Sequence, residues 1–206
     1  LLDQVGSTPW GAATTRASAA DAAATAQRVL TAAVTLYADR GHAQVSLDDV
    51  ARAANVTRGA VYHHYGSRTG LFAAVAEHVQ SQVSQAVVAA AVGAGDDPFA
   101  RLRAGSHAFL DAVTAPGVVQ VLLVDAPALI GWQRWRRLDT QHSGRHLCDA
   151  LADLGVPDDL LDALTAHLSG AMNEAALWLV DHADEPAAPQ AGHRALANLA
   201  LGMLVL

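Results

Sequence analysis

Ser46 through Arg68 reads SLDDVARAANVTRGAVYHHYGSR, and nearly every position in it has an assignable task. Ser46 is suited to cap a helix, with Asp48 and Asp49 in the first turn, where the helix dipole favours carboxylates. Leu47, Val50, Ala51 and Ala54 recur at i, i+3, i+4 and i+7, which is one helical face. In Ala54-Asn55-Val56, Asn55 tolerates the left-handed backbone that ends a helix. Thr57 then caps a second helix whose first outward residues are Arg58, Gly59 and Ala60. Val61 turns back inward, and Tyr62, His63, His64 and Tyr65 bring polar and aromatic groups to the helix end. Ala51 is small enough for the two helices to cross closely. The pattern predicts a helix-turn-helix, whose second helix enters the DNA major groove.

Working outward, Val29, Ala33, Leu36 and Tyr37 recur at helical spacing ahead of this stretch, and Gly41 ends their helix. Behind it, Leu71, Phe72, Val75 and Val79 close a small core from a further helix. That helix starts near Ser67 and reaches about Val92, because residues 71–92 hold neither Pro nor Gly. The run GAGDDP at residues 93–98 breaks it, and Pro98 suits the first turn of the next helix. Five more helical segments are expected: residues 98–114, 117–125, 127–154, 157–181 and 189–206. Strand-like alternation and internal repeats are both missing from the sequence, so the chain reads as all-α. The expected division is a polar extension over residues 1–20, a head over 21–79 and a helical body over 80–206. The long helix joins head and body without a linker. Arg16 of the extension either reaches an adjacent minor groove or belongs to a disordered tail.

The stretch TAAVTLYADRGHAQVSLDDVARAANVTRGAVYHHYGSRTGLFAAV, residues 31–75, resembles the N-terminal DNA-binding domain of the tetracycline-repressor (TetR) family. The resemblance runs from about Ala24 to Val79. It rests on a helix ending in Arg-Gly, the helix-turn-helix, a Tyr-rich exit and an Arg-x-x-Leu-Phe start to the next helix. Asn55 stands where that family more often has Gly, Arg68 where it has Lys, and Gly70 where it often has Glu. VVQVLLVDAPALIGWQRWRRLD and SGAMNEAALWLVDHADEP resemble effector domains of the same family. The resemblance implies an N-terminal helix-turn-helix domain joined to a C-terminal helical bundle that binds an effector and dimerises. It also implies a transcriptional regulator, usually a repressor. Such a protein binds a double-stranded, pseudo-palindromic operator as a homodimer and is released by a small apolar or amphipathic molecule. The dimer would form through the segment from Pro157 to Asp181 and that from Pro189 to Leu206.

Charge supports a protein with one DNA-facing end. The net charge is −7, but residues 16–70 sum to +2 and residues 71–206 to −8. A mildly basic head on an acidic body is the asymmetry expected when only the head meets phosphates. Cys148 is the single cysteine, which excludes an intramolecular disulfide framework and suits a reducing cytoplasm. No apolar run is long enough for a membrane span, and no signal-peptide order of basic then apolar residues opens the sequence. Nucleophile elbow, P-loop, dinucleotide fingerprint and HExxH are all missing, so neither an enzyme nor a cofactor is expected.

Arg58 is the candidate for base readout, because a guanidinium bonds both O6 and N7 of guanine. Ser46, Thr57, Gly59 and Ala60 would lie at the groove, with Gly59 letting DNA approach the backbone. Tyr62, His63, His64 and Arg68 suit phosphates or nearby bases; Tyr65 serves the small core equally well. In the body, Phe109, Trp132, Trp135, Met172 and Trp178 are candidates for an apolar ligand cavity. His107, Asp125 and Asn173 would orient the ligand. His142 and His146 share a helical face at i, i+4, but no third metal ligand accompanies them. Two other readings stay open: a DNA-binding activator without a small-molecule effector, and an all-α ligand carrier or enzyme.

Overall fold

The computed structural model describes residues 10–203, with side chains from residue 18 to residue 202. Its helices are α1 (Trp10–Arg40), α2 (Leu47–Ala53), α3 (Arg58–Tyr65), α4 (Arg68–Gly93), α5 (Pro98–Val113), α6 (Ala126–Ile130), α7 (Trp132–Asp139), α8 (Arg145–Asp153), α9 (Asp158–Asp181) and α10 (Ala188–Met203). A short 3₁₀ turn, His42–Gln44, links α1 to α2, and π-helical segments occupy Gln120–Asp125 and Thr140–Gly144. Among the described residues there is no strand, as the absence of alternation predicts.

Local chemistry places the head helices. Ser46 Oγ accepts from the Asp49 amide at 3.1 Å, and Asp49 Oδ2 accepts from the Ser46 amide at 3.0 Å, closing a capping box. The bonds from Ser46 hold the Asp49 carboxyl below the usual carboxylate range. Asn55 takes φ 52° and frees the Val56 amide to donate to the Ala51 carbonyl at 3.0 Å. Thr57 Oγ1 accepts from the Ala60 amide at 3.2 Å and starts α3. Val29, Ala33, Tyr37, Val50, Ala51, Val61, Leu71, Phe72 and Val75 are buried together in one continuous core.

Three boundaries differ from the sequence expectation. Residues 10–20, read as a polar extension, form the first turns of α1; beyond Gly11 the stretch to Ala26 is Ala-rich and free of Gly and Pro, which favours helix. Residues 1–9 and 204–206 and the side chain of Arg16 lie outside the described residues. The segment expected as one helix over residues 127–154 breaks at Gly131, whose φ of 84° no helix accommodates. It breaks again into a π turn at Thr140–Gly144.

Head and body meet in two ways. α4 runs unbroken for 26 residues, with Leu71, Phe72 and Val75 in the core near its start and Gln80, Val83 and Ser84 buried further along. Gly117, after α5, lies directly against α1: a Cβ there would come within 2.5 Å of the Ala38 Cα and carbonyl oxygen.

Arg68 ties α4 to the loop between α1 and α2. Its Nη2 donates to the carbonyl of Val45 at 2.9 Å and also to that of His42. His42 packs edge-on against Tyr37 and Phe72, with ring centroids 5.3 and 4.9 Å away, and its Nε2 is buried without a partner.

Arg68→Met is expected to cost about 1–3 kcal/mol of unfolding free energy in urea, the scale of hydrogen bonds from a charged donor; an unchanged midpoint contradicts the tie. Burial first, then the charge of Arg68, lowers the His42 pKa from 6.5, against a smaller opposing effect of Asp125. Burial first, then His193 and Arg103, lowers that of His107, with Asp111 opposing. Below pH 6.5 the unfolded chain therefore binds more protons, so stability present above 6.5 is lost as pH falls toward the folded values. Unfolding free energy should drop between about pH 7 and 5, by at most ~1.4 kcal/mol per pH unit per histidine, and melting temperature with it. The double variant His42→Leu/His107→Leu should flatten that slope.

Candidate nucleic-acid interface and effector cavity

The caps at Ser46 and Thr57 hold α3 so that one side packs inward through Val61 and the other is bare. Thr57, Arg58, Gly59, Tyr62 and His63 are exposed, whereas Ala60 and His64 are half-buried. A Cβ built on Gly59 would meet only Thr57 Oγ1, at 3.7 Å. The protein itself thus has room for a side chain at residue 59, and the gap opens outward, where a closely approaching partner would use it.

Arg58 is poised rather than free. Its Nη1 lies 3.1 Å from Asp48 Oδ2, Nη2 lies 3.4 Å from the Tyr62 hydroxyl, and the guanidinium stands 5.5 Å from the centre of the Tyr62 ring. These contacts span α2 and α3 and hold the cation over the exposed face. His63 and His64 stack edge to face at 5.2 Å beside it.

Two expected interface residues, Ser46 and Arg68, and Tyr65 beside them have structural tasks in the fold. Ser46 is exposed, but its hydroxyl serves the capping box, donating to Asp49 Oδ2 at 2.6 Å. Arg68 bonds the loop carbonyls of His42 and Val45 before α2. Tyr65, left between core and surface by the sequence, donates its hydroxyl to the Ala26 carbonyl at 2.7 Å.

The body contains a cavity of about 180 Å³ between α4, α5, α8 and α9. Phe109 and Met172, both expected, line it with Val87, Ala91, Leu102 and Leu147. The other expected ligand residues lie elsewhere, for identifiable reasons. Trp135 is buried with its Nε1–H donating to the Leu122 carbonyl at 2.7 Å, as a buried indole requires. Trp132 packs on Trp135 at 4.8 Å but stands 62% exposed. Trp178 stacks on His182 at 4.3 Å and borders an open groove between α9 and α10. His107 faces His193 of α10 at 4.5 Å. Asp125 accepts from Gln120 Nε2 at 2.6 Å, and Asn173 is buried without lining the cavity.

The polar part of the cavity was missed in the sequence. Asp139, Ser143 and Ser169 form its floor. Asp139 is 5% exposed, and burial raises its pKa against the lowering effects of Ser169, Arg136 and Gln80. The available signal was Asp139 at i+4 from Trp135, a carboxylate in register with a core residue. Among the described residues no cluster of three metal-ligating side chains occurs, and no helix is long and apolar enough to cross a membrane.

Comparison with known proteins agrees at both ends of the chain. Residues 29–75 match the family model for bacterial regulatory proteins of the tetR family, and residues 99–203 that for the tetracyclin repressor-like C-terminal domain. A probable acrEF/envCD operon repressor of Escherichia coli is 34% identical over 91 residues, covering 41% of this chain and 38% of that protein. The HTH-type transcriptional regulator AcrR of Shigella flexneri is 32% identical over 83 residues, covering 40% and 39%. The chain thus spans less than half the length of these curated relatives. A TetR-family transcriptional regulator from Pectobacterium atrosepticum superimposes with a TM-score of 0.74 at 29% identity, covering 91% of this chain and 97% of that one. The chain belongs to the TetR family of transcriptional regulators, a family of DNA-binding proteins and not of enzymes.

Proposed function

We propose that this regulator represses transcription by binding a pseudo-palindromic operator as a homodimer, and that a small amphipathic molecule in the body cavity releases it. The observation that carries the reading is the bare face of α3, a helix capped by Thr57, with Arg58 held over it by Asp48 and Tyr62. On DNA, Arg58 exchanges Asp48 for the O6 and N7 of a guanine. Tyr62 and His63 meet phosphates that fix the register. Gly59 lets the backbone approach the groove. Arg68 and Tyr65 act one step back, by keeping α3 at a fixed angle to α1 and α4.

Dimerisation through α9 and α10 is supported by the apolar side chains these helices leave uncovered in a single chain. Leu160, Trp178, Val180, Leu199 and Leu201 are each 38–44% exposed. Pairing α9 and α10 with those of a second copy would form a four-helix bundle over them. The two heads then stand in successive major grooves. A ligand that favours another head spacing weakens operator binding by its differential affinity for the two states.

Selection from a random double-stranded DNA pool is expected to recover an inverted repeat; recovery of no sequence preference contradicts the reading. In that assay Arg58→Ala should lose about 1–3 kcal/mol of operator affinity together with its preference at one base pair. It should retain its melting temperature and sediment as a dimer. Unchanged selectivity in this variant would remove Arg58 from the readout.

A further inference from the structure

The floor of the cavity holds an unevenly bonded carboxylate. Asp139 Oδ2 accepts from Arg136 Nη1 at 2.9 Å and from Ser169 Oγ at 3.0 Å. Oδ1 receives only Gln80 Nε2, at 3.4 Å, while the shorter bond of that amide, 3.0 Å, goes to Ser143 Oγ. A carboxylate oxygen has two lone-pair directions. Here one of them is weakly used at the wall of a cavity whose α4 side is aliphatic and whose other polar lining includes Ser106, Ser143, Ser169 and His146. The strongest complement to such an oxygen is a charged N–H donor.

The rim points the same way. Asp149 and Asp153 line the opening, and Arg101 is the cation there, 3.6 Å from Asp153. An anion would meet more carboxylates than guanidinium groups on entering. The volume of about 180 Å³ exceeds the roughly 150 Å³ that admits a benzene ring, so one ring with a short chain fits.

Gln80 makes the floor part of the head's support. It is 5% exposed and lies on α4, the helix whose first residue, Arg68, clamps the loop before α2. One turn later on the same helix, Ser84 Oγ donates to the His142 carbonyl at 3.2 Å. Two buried side chains of α4 are thus tied to the turn Thr140–Gly144 and its flank, and the tie to Oδ1 is the longest of them.

We propose that this floor is where cavity occupancy is both recognised and relayed: a compact organic amine donates to Asp139 Oδ1, and Gln80 is the positioning residue that passes its arrival to α4. The incoming N–H takes the Oδ1 direction and Gln80 Nε2 withdraws. An amide left short of a partner in a buried site is costly, so α4 shifts until Gln80 is satisfied again. The inference rests on the cavity reading above and adds to it a ligand class and a relay residue.

The test uses the full chain and three probes of similar shape: 2-phenylethylammonium, 2-phenylethanol and 3-phenylpropanoate. Calorimetric titration should show the amine binding about tenfold tighter than the alcohol and no binding of the carboxylate. Asp139→Asn should bring amine and alcohol within about twofold of each other. Where that variant does not fold, as judged by circular dichroism, Arg136→Met/Asp139→Asn removes both charges of the pair and serves instead. Gln80→Met should bind the amine at least as tightly as wild type, since no amide has to leave Oδ1, and its operator binding is compared with and without the amine. The amine should no longer weaken its operator binding, whereas wild type loses about fivefold or more. An alcohol that binds as tightly as the amine, or a preference for the amine that survives in the Asp139 variants, overturns the ligand class. A Gln80→Met protein that the amine still releases overturns the relay. Operator binding by wild type with no probe bound overturns the cavity reading itself, and this inference with it.

Discussion

One helix carries the core from the head into the body. α4 starts at the exit of the helix-turn-helix and ends beyond the cavity, about 39 Å away at 1.5 Å per residue. Its first turns bury Leu71, Phe72 and Val75, while Gln80 and Ser84 are hydrogen-bonded to the body. With no Gly or Pro between residues 71 and 92, the helix cannot fold over on itself to absorb a displacement. The head therefore has no orientation of its own. Its angle is set by how α4 sits on the body, and Gly117 pressed against Ala38 constrains it from the other side.

Within that frame, the head is built from short-range chemistry. The capping box at Ser46, the left-handed Asn55, the Thr57 cap and the Ser67 cap, whose Oγ accepts from the Gly70 amide at 2.9 Å, each fix one joint. A cap of this kind contributes about 1 kcal/mol, so together they outweigh the weak intrinsic preference of helices as short as α2 and α3. Gly70, where the family often has Glu, has a steric reason in this chain. A Cβ at that position would overlap the Tyr65 carbonyl oxygen, which accepts from the Ser67 amide at 2.8 Å. The missing side chain lets α3 and α4 meet through a very short connection.

This division explains what the sequence could and could not tell. Caps, turn and inward face of the helix-turn-helix are local patterns, so Ser46, Asn55, Thr57 and Val61 were legible from spacing alone. The structural task of Arg68 was not legible, because a basic residue beside a DNA-reading helix suggests phosphate, while its partners here, the carbonyls of His42 and Val45, lie more than twenty residues away. The body was harder still. Trp132, Trp135 and Trp178 drew attention by size, but size does not say whether an indole packs, stacks or lines a space. The Trp135 N–H found the Leu122 carbonyl, and Trp178 found His182. Asp139 shares a helical face with Trp135, but its partners Gln80 and Ser169 lie 59 and 30 residues away, so spacing alone does not place it in a cavity.

A rigid α4 fixes the distance between head and body. The test is the distance distribution between spin labels at the exposed positions Ala53→Cys and Asp162→Cys, in a Cys148→Ser background diluted with unlabelled protein. The account predicts one narrow peak, which broadens when Gln82→Gly and Gln85→Gly place a flexible turn in the exposed face of α4. A distribution already broad with α4 unaltered, or one that the two glycines leave narrow, would contradict it.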